Sequence, residues 1–257
     1  MKLLSQFLLL ISLLTGIGLI QLLKLGDLKN VSNDLSAEEV TQQTQITSLR
    51  LELVKQMPRV GFRNMLANWV FLDFIQYFGD FAARDLTGYS LSPQFFDAII
   101  DFDPRFFGAY LYLTNTVSIY AGQPQESVRL MEKGLNRISP KSPPNSYFVW
   151  RYKGTDEMLF LGDNQAAQQS FQTAADWAQK SPDEDAELTA RLSQQTADFL
   201  ATDPNSKPAL INGWMSVLGR AIDDNVRQRA INEIEALGGE ILFAENGQVT
   251  VRYNRNE

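Results

Sequence analysis

The stretch that decides the fold runs from Gly122 to Pro140 and reads GQPQESVRLMEKGLNRISP. A second stretch, GDNQAAQQSFQTAADWAQKSP, runs from Gly162 to Pro182, 40 positions further along. Each begins with a turn glycine and ends with a proline. A small, a bulky apolar and a second small residue keep identical spacings within them: Ser127, Met131 and Gly134, then Ala167, Phe171 and Ala174. This pattern is typical of stacked helical hairpins that bury each other's apolar faces.

The two stretches resemble tetratricopeptide repeats. In that family the small residues of the second helix allow it to close on the first, because helices about 8–10 Å apart need small side chains where they cross. The family's first-helix residues are less clear here, and the period is 40 residues rather than the usual ~34. The resemblance covers residues 62–201. It implies an all-α fold, a TPR-like helical-hairpin array that binds other proteins.

In such arrays the partner usually binds the face built from the first helix of each pair. The resemblance therefore implies a set of protein-binding residues on these helices and on the helix before them. They are Tyr112, Asn115, Ile119, Tyr152, Asp156 and Leu159, with Arg63, Asn68 and Gln76. Aromatic residues at helical spacing are also common in cores, so burial is the competing interpretation.

A further resemblance is to bacterial membrane-anchored proteins with such repeats, some of them cyanobacterial. It rests on Asn68-Trp69 to Gly79-Asp80 and on Asp103-Pro104-Arg105-Phe106. It implies that the repeats stand beside a membrane.

The N-terminus predicts a single-pass membrane anchor. Leu3 to Leu23 form an uncharged run of 21 residues. As a helix, at about 1.5 Å per residue, this run would extend roughly 31 Å, enough to cross a hydrocarbon core of roughly 30 Å. A short N-terminus favours an N-in orientation, with the bulk of the chain periplasmic or lumenal. A cleaved signal sequence and a buried helix are the alternatives.

Four segments are expected along the chain: a membrane anchor over 1–29, a linker and stalk helix over 30–61, TPR-like helical repeats over 62–201, and a degenerate helix pair with a small C-terminal β-hairpin over 202–257. Ser36 and Glu39 match a capping box at the start of the stalk helix. The aromatic-rich helix from Phe62 to Phe78 is apolar over more than half its circumference, so we expect neighbours on two sides. Asn246-Gly247 predicts the hairpin turn, and the hairpin would dock on the last helix or pair with another chain.

Turn and capping signals also predict where the helices begin and end. The predicted helices cover residues 36–56, 62–78, 93–101, 106–121, 124–138, 147–161, 164–180, 185–201, 207–221 and 224–237.

Composition argues against several classes of function. The net charge of −7 argues against nucleic-acid binding, which depends on clustered Lys and Arg. The chain contains neither Cys nor His, which removes thiol nucleophiles, imidazole bases and the commonest metal ligands. Two carboxylate clusters flank helix ends: Asp97, Asp101 and Asp103, and Asp183, Glu184 and Asp185. Caps and solvated turns are their ordinary explanation, so we predict no catalytic residue, no metal and no cofactor.

The sequence thus predicts a non-enzymatic scaffold that assists assembly or stability of a membrane or envelope complex. Its partners would be protein subunits of that complex, and the lipid bilayer through Leu3 to Leu23, without nucleic acid. One alternative is a constitutive small subunit of a larger membrane complex. Another is a glycan or cell-wall hydrolase that acts through a carboxylate pair such as Asp101 and Asp103.

Overall fold

A computed structural model describes residues 36–57, 61–203, 206–219, 221, 224–243 and 249–253, together with Thr15 and Gly18. Over these residues the chain is mostly helical, with one small antiparallel sheet late in the chain. The helices are α1 (Ala37–Gln56), α2 (Arg63–Gly79), α3 (Phe81–Thr87), α4 (Ser92–Phe102), α5 (Phe107–Leu113), α6 (Pro124–Leu135), α7 (Tyr147–Asp156), α8 (Asn164–Gln179), α9 (Ala186–Thr202), α10 (Lys207–Leu218) and α11 (Asp224–Ala236). The strands are β1 (Glu240–Phe243) and β2 (Val249–Arg252).

The chain divides into two compact units, Met1–Gln43 and Thr44–Glu257. In the first unit, the predicted capping box at the start of α1 is confirmed. The Glu39 backbone N–H donates to Ser36 Oγ at 3.2 Å, and the Ser36 N–H donates to Glu39 Oε2 at 3.1 Å. The contacts described below all lie within the second unit.

The predicted anchor, Leu3–Leu23, lies outside the described residues except for Thr15 and Gly18. Within the described part of the chain, no helix combines the length and the apolar character needed to cross a bilayer.

Two helical hairpins form from the two repeated stretches. The first helix of each, α5 or α7, continues through π-helical turns at Thr114–Tyr120 or Glu157–Leu161. Gly122 and Gly162 then reverse the chain, each with φ of +66°, a conformation that glycine adopts without strain. Both turn glycines are therefore confirmed, and the predicted helix bounds agree with those observed to within three residues.

Small residues stand where the paired helices cross. Ser127, Ala167 and Ala174 are fully buried, as the repeat pattern predicts. At Gly154 an added Cβ atom would lie 3.1 Å from ring carbons of Phe171, so α7 and α8 are in contact at this point.

The closest approach is at Gly134 of α6. An added Cβ atom there would lie 1.9 Å from Oη of Tyr110, the buried tyrosine of α5. The Tyr110 hydroxyl donates to the carbonyl oxygen of Pro104 at 2.9 Å, which holds the ring in place. The tyrosine therefore occupies the space that any side chain at position 134 would need.

The largest apolar cluster includes residues of α2, α4, α5 and α6. The ring of Phe74 lies 4.6 Å from that of Phe96 and 5.8 Å from that of Phe95, between centroids. Only one side of α2 enters this cluster, whereas Met65 and Leu72 are about 60% exposed on its other side. The expectation that α2 is covered on two sides is therefore wrong for the part of the chain that the structure describes.

The sequence does not predict helix α3. Its seven residues begin after Asp80, whose side chain accepts a hydrogen bond from the Ala83 backbone N–H at 3.2 Å. A helix of two turns is too short to display an apolar period, so its cap is the only local signal.

A second apolar cluster joins α10, α11 and the sheet. Trp214 of α10 and Ile234 of α11 are buried in it, and Val251 of β2 packs against it. The strands pair with Ile241 opposite Val251. The hairpin therefore docks on the last helix, which was one of the two predicted arrangements.

We expect Gly134→Ala to lower the free energy of unfolding by about 2–3 kcal/mol, because the methyl group must displace the Tyr110 ring. Gly79→Ala is the matched control, since no atom lies within 4 Å of its added Cβ. This variant should leave stability unchanged or raise it by up to about 1 kcal/mol. Urea unfolding followed by circular dichroism measures both values. Equal stability of the two variants would contradict the close approach.

Candidate functional site

An exposed apolar surface follows helices α1 and α2. It consists of eight large side chains that are between 39% and 64% exposed. We call this surface the apolar face; its residues are Ile46, Leu49, Leu53 and Met57 of α1 and Met65, Trp69, Leu72 and Ile75 of α2. Soluble monomers rarely expose many large apolar side chains together, and such patches are typical of interaction sites.

The spacing of these residues explains why they share a surface. Met65, Trp69 and Leu72 recur at intervals of four and three, which places them on one side of α2. The α1 and α2 halves of the face adjoin at Arg50 of α1. Its guanidinium pairs with the Asp73 carboxylate of α2 at 2.9 Å and lies 6.0 Å from the centroid of the Trp69 ring.

The three predicted binding residues of α2 occupy different environments. Asn68 and Gln76 are exposed on its outer side, interleaved with residues of the apolar face. Arg63 is half-buried, and its Nη2 and Nε donate to the carbonyl oxygens of Asp101 and Phe102 at 2.6 and 3.1 Å. Arg63 thus satisfies free carbonyl groups at the end of α4.

Two predicted residues of the first helices are covered by α10. Ile119 is buried in the second apolar cluster, and Leu159 packs against that cluster. A Cβ atom added at Gly213 of α10 would lie 2.8 Å from Leu159 Cδ2, so the two helices touch. The chain itself therefore covers the first-helix side of the hairpins at this point.

Three further predicted residues, Tyr112, Asn115 and Tyr152, are half-buried. The Tyr112 ring makes an edge contact with Phe71 at 5.5 Å between centroids, and the Tyr152 ring stacks near Phe148 at 6.2 Å. Both tyrosines therefore pack against other rings of the chain, as expected of core residues, but each side chain remains partly exposed. The nine predicted residues do not line one common open groove.

Asp156 is fully buried, so its side chain lines no open surface. Its Oδ2 accepts a hydrogen bond from Ser118 Oγ in the π-helical turns after α5, at 2.6 Å. The buried hydroxyls of Ser127 and Thr114 also lie beside this carboxylate. Burial raises the pKa of Asp156 to about 6, although these hydroxyls oppose the shift.

A buried polar cluster lies inside the second hairpin. Lys153 of α7 contacts Glu157 closely and lies 3.2 Å from Ser170 Oγ of α8, and that hydroxyl donates to Glu157 Oε2 at 2.6 Å. Lys153 Nζ also lies 3.3 Å from the exposed carboxylate of Glu132. Lys153 Nζ donates to Ser170 Oγ, and that hydroxyl donates in turn to Glu157, so the polar groups of the cluster satisfy one another. The cluster therefore resembles a satisfied ion pair more than an activated nucleophile.

Comparison of the hairpins shows how unusual this cluster is. Forty positions earlier, the equivalents of Lys153, Glu157 and Ser170 are aliphatic and buried: Leu113, Val117 and Leu130. No local motif predicts the polar cluster; it becomes visible when the sequences of the two hairpins are aligned 40 positions apart. The cluster opens on a cleft of about 360 Å³ between α6, α7 and α8.

Asp97 and Asp101 of α4 belong to an ion-pair network. Lys133 of α6 bridges them, at 2.7 Å from Asp97 Oδ1 and 2.8 Å from Asp101 Oδ2. Lys55 of α1 also contacts Asp97, and Arg137 lies 3.3 Å from Asp101. Burial alone would raise the pKa of Asp97, but hydrogen bonds from Lys133 and Lys55 hold it below the usual value.

The second carboxylate cluster makes hydrogen bonds at the start of α9. Asp183 Oδ2 accepts a hydrogen bond from Tyr147 Oη at 2.7 Å, and Asp183 Oδ1 accepts one from the Asp185 backbone N–H at 3.2 Å. These contacts fix the turn between α8 and α9.

Comparison with protein-family models, with curated proteins and with solved structures finds no match to this chain.

We expect Lys153→Ala to lower the free energy of unfolding by about 3–5 kcal/mol, because it leaves Glu157 buried without a countercharge. The triple variant Lys153→Leu/Glu157→Val/Ser170→Leu gives the second hairpin the residues of the first. Its stability should lie within about 1–2 kcal/mol of the wild type, or above it. Urea unfolding compares the two. A triple variant as unstable as the single one would show that the polar cluster is needed for the fold.

Asp156 should make stability depend on pH. Because the folded chain binds its proton more tightly than the unfolded chain does, the stabilising contribution is complete below about pH 4 and disappears as pH rises through about 6. Asp156→Asn should remove this loss of about 2–3 kcal/mol. Unfolding midpoints between pH 4 and 8 measure it, with the exposed Asp176→Asn as control. An unchanged pH profile in Asp156→Asn would contradict the assignment.

Proposed function

We propose that this chain is a membrane-anchored, non-enzymatic scaffold that assists assembly or stability of a membrane or envelope complex. It would bind a protein partner through the apolar face. The observation that carries the proposal is the exposure of eight large apolar side chains on α1 and α2. Covering them with a partner would release water from apolar surface, the main driving force of protein association. The anchor rests on the uncharged run Leu3–Leu23.

We also propose that the hairpins α5–α6 and α7–α8 have a TPR-like architecture. The support is the shared spacing of small residues, together with the burial of Ser127, Gly134, Ala167 and Ala174. The packed hairpins would hold α2 rigidly through the largest apolar cluster, so that the apolar face is already in position before a partner binds. Pre-organisation of this kind lowers the entropy cost of binding.

The partner that fits this face is an apolar or amphipathic helix of a membrane-complex subunit. Helical partners present anchors at intervals of three and four residues, which match the intervals on α2. Trp69 belongs to the residue types that dominate interface energies. Asn68 and Gln76 offer amide groups to polar atoms of the partner. In the predicted topology both proteins reach the same membrane, which raises their effective concentration.

The experiment is site-specific photocrosslinking in intact membranes. A photoreactive phenylalanine derivative replaces Leu72 of the apolar face or, as the matched control, Leu188, which is 55% exposed on α9. We expect position 72 to crosslink one membrane-complex subunit through an apolar helix, and position 188 not to do so. Met65→Ser/Leu72→Ser should then lower recovery of that subunit at least about tenfold. The control pair Leu188→Ser/Leu192→Ser should retain it.

Two outcomes would contradict the proposal: equal crosslinking from both positions, or full recovery of the subunit with Met65→Ser/Leu72→Ser. Co-migration of the chain with one mature complex at a fixed ratio would instead favour the constitutive-subunit alternative. Association only with immature complexes would favour an assembly factor.

A further inference from the structure

Three arginines converge on one hollow where the start of α2, the loop between α4 and α5 and the segment after α6 meet. The hollow has a volume of about 390 Å³ and is lined by Arg63, Asp103, Pro104, Arg105 and Arg137. The three guanidinium groups face only one carboxylate among these lining residues, that of Asp103. The whole chain carries a net charge of −7, so this concentration of positive charge runs against its composition.

Two of the arginines are held in place by the end of α4. Arg63 donates from Nη2 and Nε to the carbonyl oxygens of Asp101 and Phe102, at 2.6 and 3.1 Å. Arg137 lies with its Nη1 3.3 Å from Asp101 Oδ1. These contacts occupy one edge of the Arg63 guanidinium and one nitrogen of Arg137, so other N–H groups of both remain for a ligand.

The third arginine stands on a tightly bonded turn. The backbone N–H of Arg105 donates to Asp103 Oδ1 at 2.9 Å, and the carbonyl of Arg105 accepts from the Phe107 N–H at 2.7 Å. The Pro104 carbonyl is bound by Tyr110 Oη at 2.9 Å. Because this backbone is fixed, Arg105 is displayed at the hollow with an exposed side chain. Asp103 Oδ1 is engaged by the turn, which reduces its competition with an incoming anion.

We propose that this hollow binds a phosphate dianion, either free or as the phosphate monoester of a lipid headgroup. The lining arginines exceed the lining carboxylate by two charges, and the Asp101 carboxylate beside Arg137 is shared with Lys133, so the hollow keeps an excess of positive charge for a dianion. Guanidinium groups pair with phosphate through parallel, charge-assisted hydrogen bonds, and a phosphate offers enough oxygens to accept from three of them. The volume lies within the roughly 300–1,000 Å³ that is usual for small-ligand sites. The site is independent of the apolar face, so either proposal can fail alone.

The test is titration of the full chain, in neutral detergent, with inorganic phosphate, followed by calorimetry. We expect a dissociation constant of about 1 mM or tighter at low ionic strength, which weakens when NaCl is raised from about 20 to about 200 mM. Arg105→Gln and Arg137→Gln should each weaken binding at least about tenfold. Arg63 is left unchanged, because its side chain also holds the end of α4. Arg129→Gln is the control: Arg129 pairs with Glu126 and does not line the hollow.

A comparison of vesicle binding with phosphate binding distinguishes a lipid headgroup from soluble phosphate as the ligand. Vesicles of phosphatidylcholine with phosphatidic acid should retain more wild-type chain than pure phosphatidylcholine vesicles if the lipid headgroup is bound, and this excess should vanish with Arg105→Gln. An equal distribution, together with tight binding of inorganic phosphate, would assign the site to soluble phosphate. Absence of phosphate binding at about 10 mM, or an equal loss in Arg129→Gln and Arg105→Gln, would overturn the proposal.

Discussion

Close approach between paired helices is the constraint on which the rest of this structure depends. At Gly134 the hydroxyl of Tyr110 takes the place of a side chain, and at Gly154 the ring of Phe171 lies 3.1 Å from where a Cβ atom would be. Ala174 stands at the position equivalent to Gly134 in the second hairpin and is also fully buried. These contacts set how near the helices lie. The Tyr110 hydroxyl in turn fixes the Pro104 carbonyl, so one crossing positions the loop that carries Arg105.

The two hairpins share the spacing of their small residues but differ in the polarity of their interior positions. The interior positions filled by Leu113, Val117 and Leu130 in the first hairpin hold Lys153, Glu157 and Ser170 in the second. A salt bridge with a hydrogen-bonded serine can occupy such positions because each charge finds a partner. The hairpin geometry therefore tolerates this change of interior chemistry, because Lys153, Glu157 and Ser170 satisfy one another.

The sequence predicts those parts of the fold that depend on neighbouring residues. The turns at Gly122 and Gly162, the capping box at Ser36 and the buried Ala167 all follow from local patterns. What it does not predict depends on residues far apart in the chain. Ile119 and Leu159 are covered by α10, which begins about fifty residues after Leu159.

The candidate site, too, combines features that neighbouring residues determine with features that distant residues determine. Apolar spacing on α1 and α2 is visible in the sequence, but which side of each helix faces water depends on the packing of α4. The sequence predicts Asp156 on a binding surface. In the structure it is fully buried, and its carboxylate accepts a hydrogen bond from Ser118 of the preceding hairpin. The arginine hollow combines residues more than 70 positions apart, from Arg63 to Arg137, so no local motif in the sequence predicts it.

The position of α10 limits how this protein can diversify. Open solenoids change what they recognise by gaining or losing whole units, since each inner surface is free to accept a new neighbour. Here Leu159 already meets the C-terminal part of the same chain at Gly213. Inserting a further hairpin between α8 and α10 would separate that contact and uncover Leu159, so lengthening the array at this end would lose the packing that α10 provides.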